Sequence, residues 1–163
     1  MPPVNEPELT VIGGREVTAF DAHGQTTTVD LRCERIGPPP RPISSPSTSF
    51  VVTLSLAPVE TERSQQQIVI RQEARSLWDA LLDARAVLDE AGWLLPIAAA
   101  RRGWWCTYAE RRPDVTVVHP LGDLSRSEGM LQTIPQDDVV TVSEQREAHQ
   151  HWVDAVTARG DAP

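Results

Sequence analysis

A chain of 163 residues, 40% hydrophobic and 23% charged, has the size and apolar content of a single globular domain with a real core. Its net charge of −8 argues against a general nucleic-acid binder, which needs excess positive charge on its contact surface, and against adhesion to anionic lipid. Cys33 and Cys106 are too few and too far apart for a disulfide framework, Met1–Gly14 lacks a basic region followed by an apolar run, and no stretch approaches the roughly 18 apolar residues of a membrane span, so the expectation is a cytoplasmic, bacterial-type protein.

Residues 1–8, proline-rich and polar, read as a loose tail before a single α+β domain over 9–160. Val11–Phe20 suggests a short hairpin with Gly13-Gly14 as its two-residue turn, and Asp21–Gly24 a second turn. Thr27–Arg35 alternates Val29, Leu31 and Cys33 with Asp30, Arg32 and Glu34, the period of a half-buried strand, which places Cys33 in the core. Pro38–Pro46 is a stiff connector that cannot pair centrally in a sheet. In Ser49–Ala57 the residues Phe50, Val52, Leu54 and Leu56 share a face. Beyond the polar stretch Glu60–Gln66, Gln67–Arg71 is a shorter strand candidate. Together these elements describe a mostly antiparallel sheet with one face in the core.

The period then changes. At 100° per residue Leu77, Leu81, Ala84, Leu88 and Ala91 fall in one arc, extended by Ala74 and Trp78, which predicts a main amphipathic helix over about 73–91 with Gly92 as the residue that stops it. Trp93–Ala98 reads as a strand leaving that helix. Trp104–Ala109 and Val115–His119 form a hairpin candidate around Arg111-Arg112-Pro113-Asp114, and Leu121–Asp138 is irregular. Thr141 and Glu144 have capping-box spacing, so a C-terminal helix is expected over about 142–158, with Ala148, Trp152, Ala155 and Val156 on its apolar face and Gly160 at its end.

Two surfaces compete as sites. Trp104 and Trp105 are neighbours on one strand and point to opposite faces, so a one-sided sheet cannot enclose both. The second must be exposed, covered by a helix, or buried in a partner. Arg101 and Arg102 lie before this strand and Arg111 and Arg112 after it, and arginine and tryptophan dominate binding hot spots. Arg102, Trp104, Trp105, Arg111 and Arg112 are therefore the candidate partner-binding residues, against the plainer reading that they pack. The alternative surface is Asp79, Asp83 and Glu90, a stripe within about 40° on the main helix that meets a basic partner or is simply a solvated face.

Other pairings are weaker. His149 and His151 are two residues apart on a helix and face different ways, so no metal site is expected. Cys106 with His119 lacks a third residue to orient the pair, which favours packing over a thiolate nucleophile. The chain has no GxxxxGK[ST], GxGxxG, GxSxG or HExxH, so no motif names a cofactor or a catalytic residue. All 15 cationic positions are arginine, which codon bias explains more economically than function.

Ala91–Arg101 (AGWLLPIAAAR), Glu128-Gly129-Met130 and Thr141–Trp152 (TVSEQREAHQHW) together resemble a group of small, uncharacterised bacterial proteins. These carry a GW-LL-x-x-x-AR turn after a helix, a GM motif, and TVxEQ leading into a terminal helix with a tryptophan. The resemblance covers roughly the C-terminal half, and the GM motif falls later here than in the pattern. Some members resemble immunity or accessory proteins of bacterial competition systems, so the likeness implies a binding protein and assigns no catalytic residue. The expected function is a non-enzymatic protein of immunity or accessory type that occupies the surface of another protein, with self-association left open. The alternatives are a small or degenerate enzyme using a carboxylate and an arginine from Arg111–Asp138, and a structural subunit of a phage-like or secretion assembly.

Overall fold

The computed structural model describes residues 8–38, 48–58 and 67–160. The expected tail over 1–8 (apart from Glu8), most of the proline connector and the polar stretch Glu60–Gln66 lie outside them. The fold is α+β, with two antiparallel sheets and two main helices.

The first sheet contains β1 (Leu9–Asp21), β2 (Thr26–Ile36), β3 (Ser49–Leu56) and β4 (Ile68–Ala74), ordered β4-β3-β2-β1, with a short β5 (Trp93–Leu94) added beyond β1. Register puts Val17 opposite Val29, Val29 opposite Leu56, Leu31 opposite Leu54 and Leu54 opposite Ile70, so the alternation read in the sequence becomes one continuous apolar face. Cys33 lies on that face and is buried, as expected.

The first expected hairpin is a correction. Val11–Phe20 is a single strand, and Gly13-Gly14 is not its turn. The ladder instead jumps from Val11 opposite Glu34 to Gly13 opposite Cys33, which leaves Ile12 as a bulge. Neither Gly13 nor Gly14 has the positive φ that a primed hairpin turn requires. Gly14 serves a close approach instead: a Cβ there would lie 2.7 Å from the Leu31 carbonyl oxygen.

The main helix, α1 (Leu77–Glu90), begins later than its apolar arc suggests. Glu73 and Ala74 finish β4, paired with Val51 and Phe50, and Ser76 is the cap, its Oγ accepting from Asp79 N at 3.0 Å. Gly92 follows with φ +87, as expected of the stop residue. Leu77, Leu81, Ala84 and Leu88 are buried as expected, whereas Ala91 is exposed. Each enclosed leucine contributes roughly 2 kcal/mol by removal from water.

Beyond α1, pairing of the Trp93–Ala98 segment with β1 stops at Leu94, and Ile97 makes an isolated bridge to Thr133. Pro96 has no N–H to offer a ladder, and Ala98–Ala100 turns as a 3-10 helix. The second sheet is β6 (Trp104–Trp105), β7 (Val117–Pro120) and β8 (Glu128–Gly129), with Trp105 opposite His119 and Val118 opposite Glu128. The expected pairing of the two tryptophan-hairpin arms is present, shortened to two residue pairs. The irregular stretch between β8 and the last helix is tied down by backbone bonds, Ala99 N to Met130 O at 2.9 Å and Ile134 N to Pro96 O at 3.0 Å among them. The chain closes with α2 (Val142–Ala158), whose Thr141–Glu144 capping box is fully formed.

Candidate functional site

The site rests on a polar hub. Arg85, on the apolar arc of α1, is only 1% exposed. Its guanidinium donates to Ala99 O at 2.6 Å, Gln145 Oε1 at 2.8 Å and Val140 O at 3.1 Å. Gln145, equally buried, donates through Nε2 to Ala99 O at 3.0 Å and Trp104 O at 2.9 Å. One turn along α1, Asp89 accepts from Val142 N at 2.7 Å, at the first turn of α2. The two helices therefore run antiparallel, with Asp89 beside Val142 and Arg85 beside Gln145. Burial lowers the Arg85 pKa to about 10, against the opposing pull of Asp89. Burial raises that of Asp89, which the Val142 N–H and Arg85 only partly offset. The TVSEQ stretch is thereby explained locally: Thr141 and Glu144 cap the helix, Val142 is buried, and Gln145 pins it.

That hub sets the position of β6, because Gln145 holds the Trp104 carbonyl. Trp104 and Trp105 then diverge, as alternation demands. Trp104 is buried, with the Arg101 guanidinium 5.0 Å and that of Arg126 5.5 Å from its ring centroid. Arg101 also pairs with Glu128 at 2.5 Å and lies 3.8 Å from Asp138. Trp105 turns the other way, toward the helices. Its ring stacks on His149 at 4.1 Å and 8°, and meets Trp78 edge-on at 5.1 Å. His149 in turn lies 6.0 Å from Trp152. Of the three outcomes open to the second tryptophan, a helix covers it. Trp105, His149 and Trp152 are all half-buried, and burial lowers the His149 pKa below its ordinary 6.5.

Arg102, Arg111 and Arg112 are exposed. Arg102 donates its N–H to Asp138 O and lies close enough to Glu144 to help lower that carboxyl's pKa, behind the larger effect of the Thr141 hydrogen bonds. Arg111 and Arg112 sit on a turn closed by their N–H groups on Tyr108 O, and the next residue, Pro113, accepts from Leu77 N at the start of α1. The two arginine groups therefore flank opposite ends of α1, a helix of 14 residues and about 20 Å. The alternative stripe is exposed. Asp79 accepts from Ser76 Oγ at 2.7 Å, Asp83 pairs with Arg146 at 3.3 Å, and Glu90 lies near the end of the helix.

The remaining pairings resolve simply. His119 Nδ1 lies 2.7 Å from the Arg126 carbonyl and so donates to it, and the ring meets Tyr108 edge-on at 5.6 Å. Cys106 takes its contacts from the Tyr108 and Ala109 backbone, and burial raises its pKa. Both cysteines are buried and free. His149 is half-buried and His151 exposed, and no group of three or more potential metal ligands gathers among the described residues. Among the described residues no helix is long and apolar enough to cross a membrane.

Arg85, Gln145, His149 and Trp152 were not singled out as site residues by sequence reasoning. Arg85 carried a signal: it lies about 40° from Leu81 on the helical wheel, inside the apolar arc, where an arginine must be paired. His149 and Trp152 carried only their three-residue spacing. No protein-family model and no curated protein matches the chain.

Proposed function

We propose that the chain is a non-enzymatic binding protein, of immunity or accessory type, that acts by occupying the surface of another protein. The supporting observation is the half-open aromatic ladder Trp105–His149–Trp152. Gly122 lies against the outer end of this ladder, where a Cβ would fall 3.3 Å from Trp152 Nε1. Large rigid rings with one edge packed and the other wet carry much affinity at little entropic cost, and exposed arginines add directional donors for a partner's carboxylates. Arg102, Arg111 and Arg112 supply those donors around the covered tryptophan strand. The resemblance over the C-terminal half points the same way.

Affinity capture from the native host with mass-spectrometric identification provides the partner, and titration against it provides the test. Trp152→Ala, Arg102→Ala and Arg111→Ala should keep the melting temperature within a few degrees and weaken binding about tenfold or more. If only Asp79→Ala, Asp83→Ala and Glu90→Ala weaken it, the contact belongs to the acidic stripe and the ladder reading falls.

A further inference from the structure

Where the Ile12 bulge lifts β1 out of register, a cavity of about 370 Å³ opens between the first sheet, the start of α1 and the segment after β8. Small-molecule sites typically occupy roughly 300–1,000 Å³, and an apolar cavity of about 150 Å³ already admits a benzene-sized guest. Backbone hydrogen bonds hold the chain on both sides of the cavity at the bulge. On one side it hangs on the β1–β2 ladder. On the other, Met130 N bonds Thr116 O at 2.7 Å, Gln132 N bonds Gly129 O at 2.9 Å and Ala98 N bonds Gln132 O at 2.8 Å. Gly13 and Gly129 line the space without filling it.

The chemistry of the lining is asymmetric. Leu77, Leu81, Met130 and the Cys33 thiol form its closely packed apolar floor, and the half-buried Ile12 and Leu131 its apolar walls. Burial, reinforced by Glu34, pushes the Cys33 pKa to about 11, so the thiol is neutral at pH 7. At the rim stands Arg15, whose Nη1 donates to Leu131 O at 2.7 Å. That single bond leaves most of the five guanidinium N–H donors unspent, and Arg15 forms no ion pair among the described residues. Its acidic neighbours Glu16 and Asp30 face each other on the opposite side of the sheet.

We propose that this cavity binds a small amphipathic carboxylate of medium-chain fatty-acid type, its tail along Ile12 and Leu131 and its carboxylate on Arg15. Charge complementarity selects the class, because an apolar hole with one cation at its mouth fits an apolar tail with one anionic head. Calorimetric titration of the full chain with decanoate, below its micelle concentration, should show saturable one-to-one binding, and 1-decanol should bind about tenfold or more weakly. Arg15→Gln should abolish that preference. Gly13→Leu should block both ligands, since a side chain starting there meets only Leu131 Cδ1, at 3.9 Å, before it enters the cavity. In the wild-type protein, saturating decanoate should slow alkylation of Cys33, a readout that needs no folded variant. Absence of saturable heat with unchanged Cys33 labelling overturns the proposal. So does equal binding of acid and alcohol that ignores Arg15→Gln.

Discussion

Arg85 joins three parts of the chain through one side chain: the 3-10 turn at Ala99, the strand-like Val140, and Gln145 of α2. A buried cation is tolerable only while its donors are spent, and removing one partner leaves the rest desolvated and unpaired. Arg85→Met preserves much of the volume but strands Gln145 Oε1 and the Val140 carbonyl, and takes the cation away from Asp89. The expected loss is about 2–4 kcal/mol, read by urea unfolding. Gln145→Leu should fall in the same range. Because both changes dismantle one network, the double variant should lose clearly less than the sum. Strict additivity would mean that the two residues act independently. This hub was half legible. An arginine inside a leucine arc announces a buried partner, but the partner is 60 residues away, and local periodicity carries no information about which distant polar side chain arrives. Trp105 shows the same limit, since alternation requires Trp104 and Trp105 to face opposite ways and does not say that α2 would cover the second.

At the scale of elements, α1 was readable because its anchor is an apolar arc, and α2 was readable in its bounds and capping box but only partly in the face that holds it, because that anchor is polar. Its expected apolar face of Ala148, Trp152, Ala155 and Val156 is only partly used: Val156 is buried, Ala148 and Trp152 are half-buried, and Ala155 is exposed. Val142 and Gln145 fix its first turn, and the His149 stack on Trp105 fixes its middle. The Gly13-Gly14 pair misled for a related reason, since glycine marks both a reversal and a close approach of two backbones, and only the partner strand distinguishes them. The stack makes α2 sensitive to acid. Burial depresses the folded pKa of His149, so the unfolded chain takes up the proton first as the pH drops. The contribution of the neutral ring is complete above about 6.5 and is lost as the pH falls from there through the folded value. An NMR titration of the His149 ring should give a pKa below 6.5. Trp152→Ala, by opening the ring to water, should move it back toward 6.5. A His149 that titrates at its ordinary 6.5 would remove the stack from the account of how α2 is held.

For the whole molecule, the question is whether the two sheets form one cooperative unit. Helix α1 is their common element. Leu81 and Leu88 belong to the same core cluster as Leu31 and Leu54 of the first sheet, while Trp78 touches Trp105 and Arg85 reaches Gln145 in the second half. If both halves depend on one helix, neither should melt alone. The distribution of tryptophan makes this measurable. Of the five tryptophans only Trp93, at the β5 edge, belongs to the first sheet, so fluorescence reports mainly α1 and the C-terminal half, whereas far-ultraviolet circular dichroism also registers the long strands β1–β4. Urea unfolding followed by the two probes should give coincident midpoints and slopes, as for a two-state domain. Leu81→Asp sharpens the test. It places a carboxylate among fully enclosed leucines, at a cost of several kcal/mol, a large share of the roughly 5–15 kcal/mol that stabilises a domain of this kind. Both signals should then shift to lower urea together, or disappear together. A variant that loses its strand signal while keeping native tryptophan emission would split the molecule at α1 and show that the hub around Arg85 holds the C-terminal half without the first sheet.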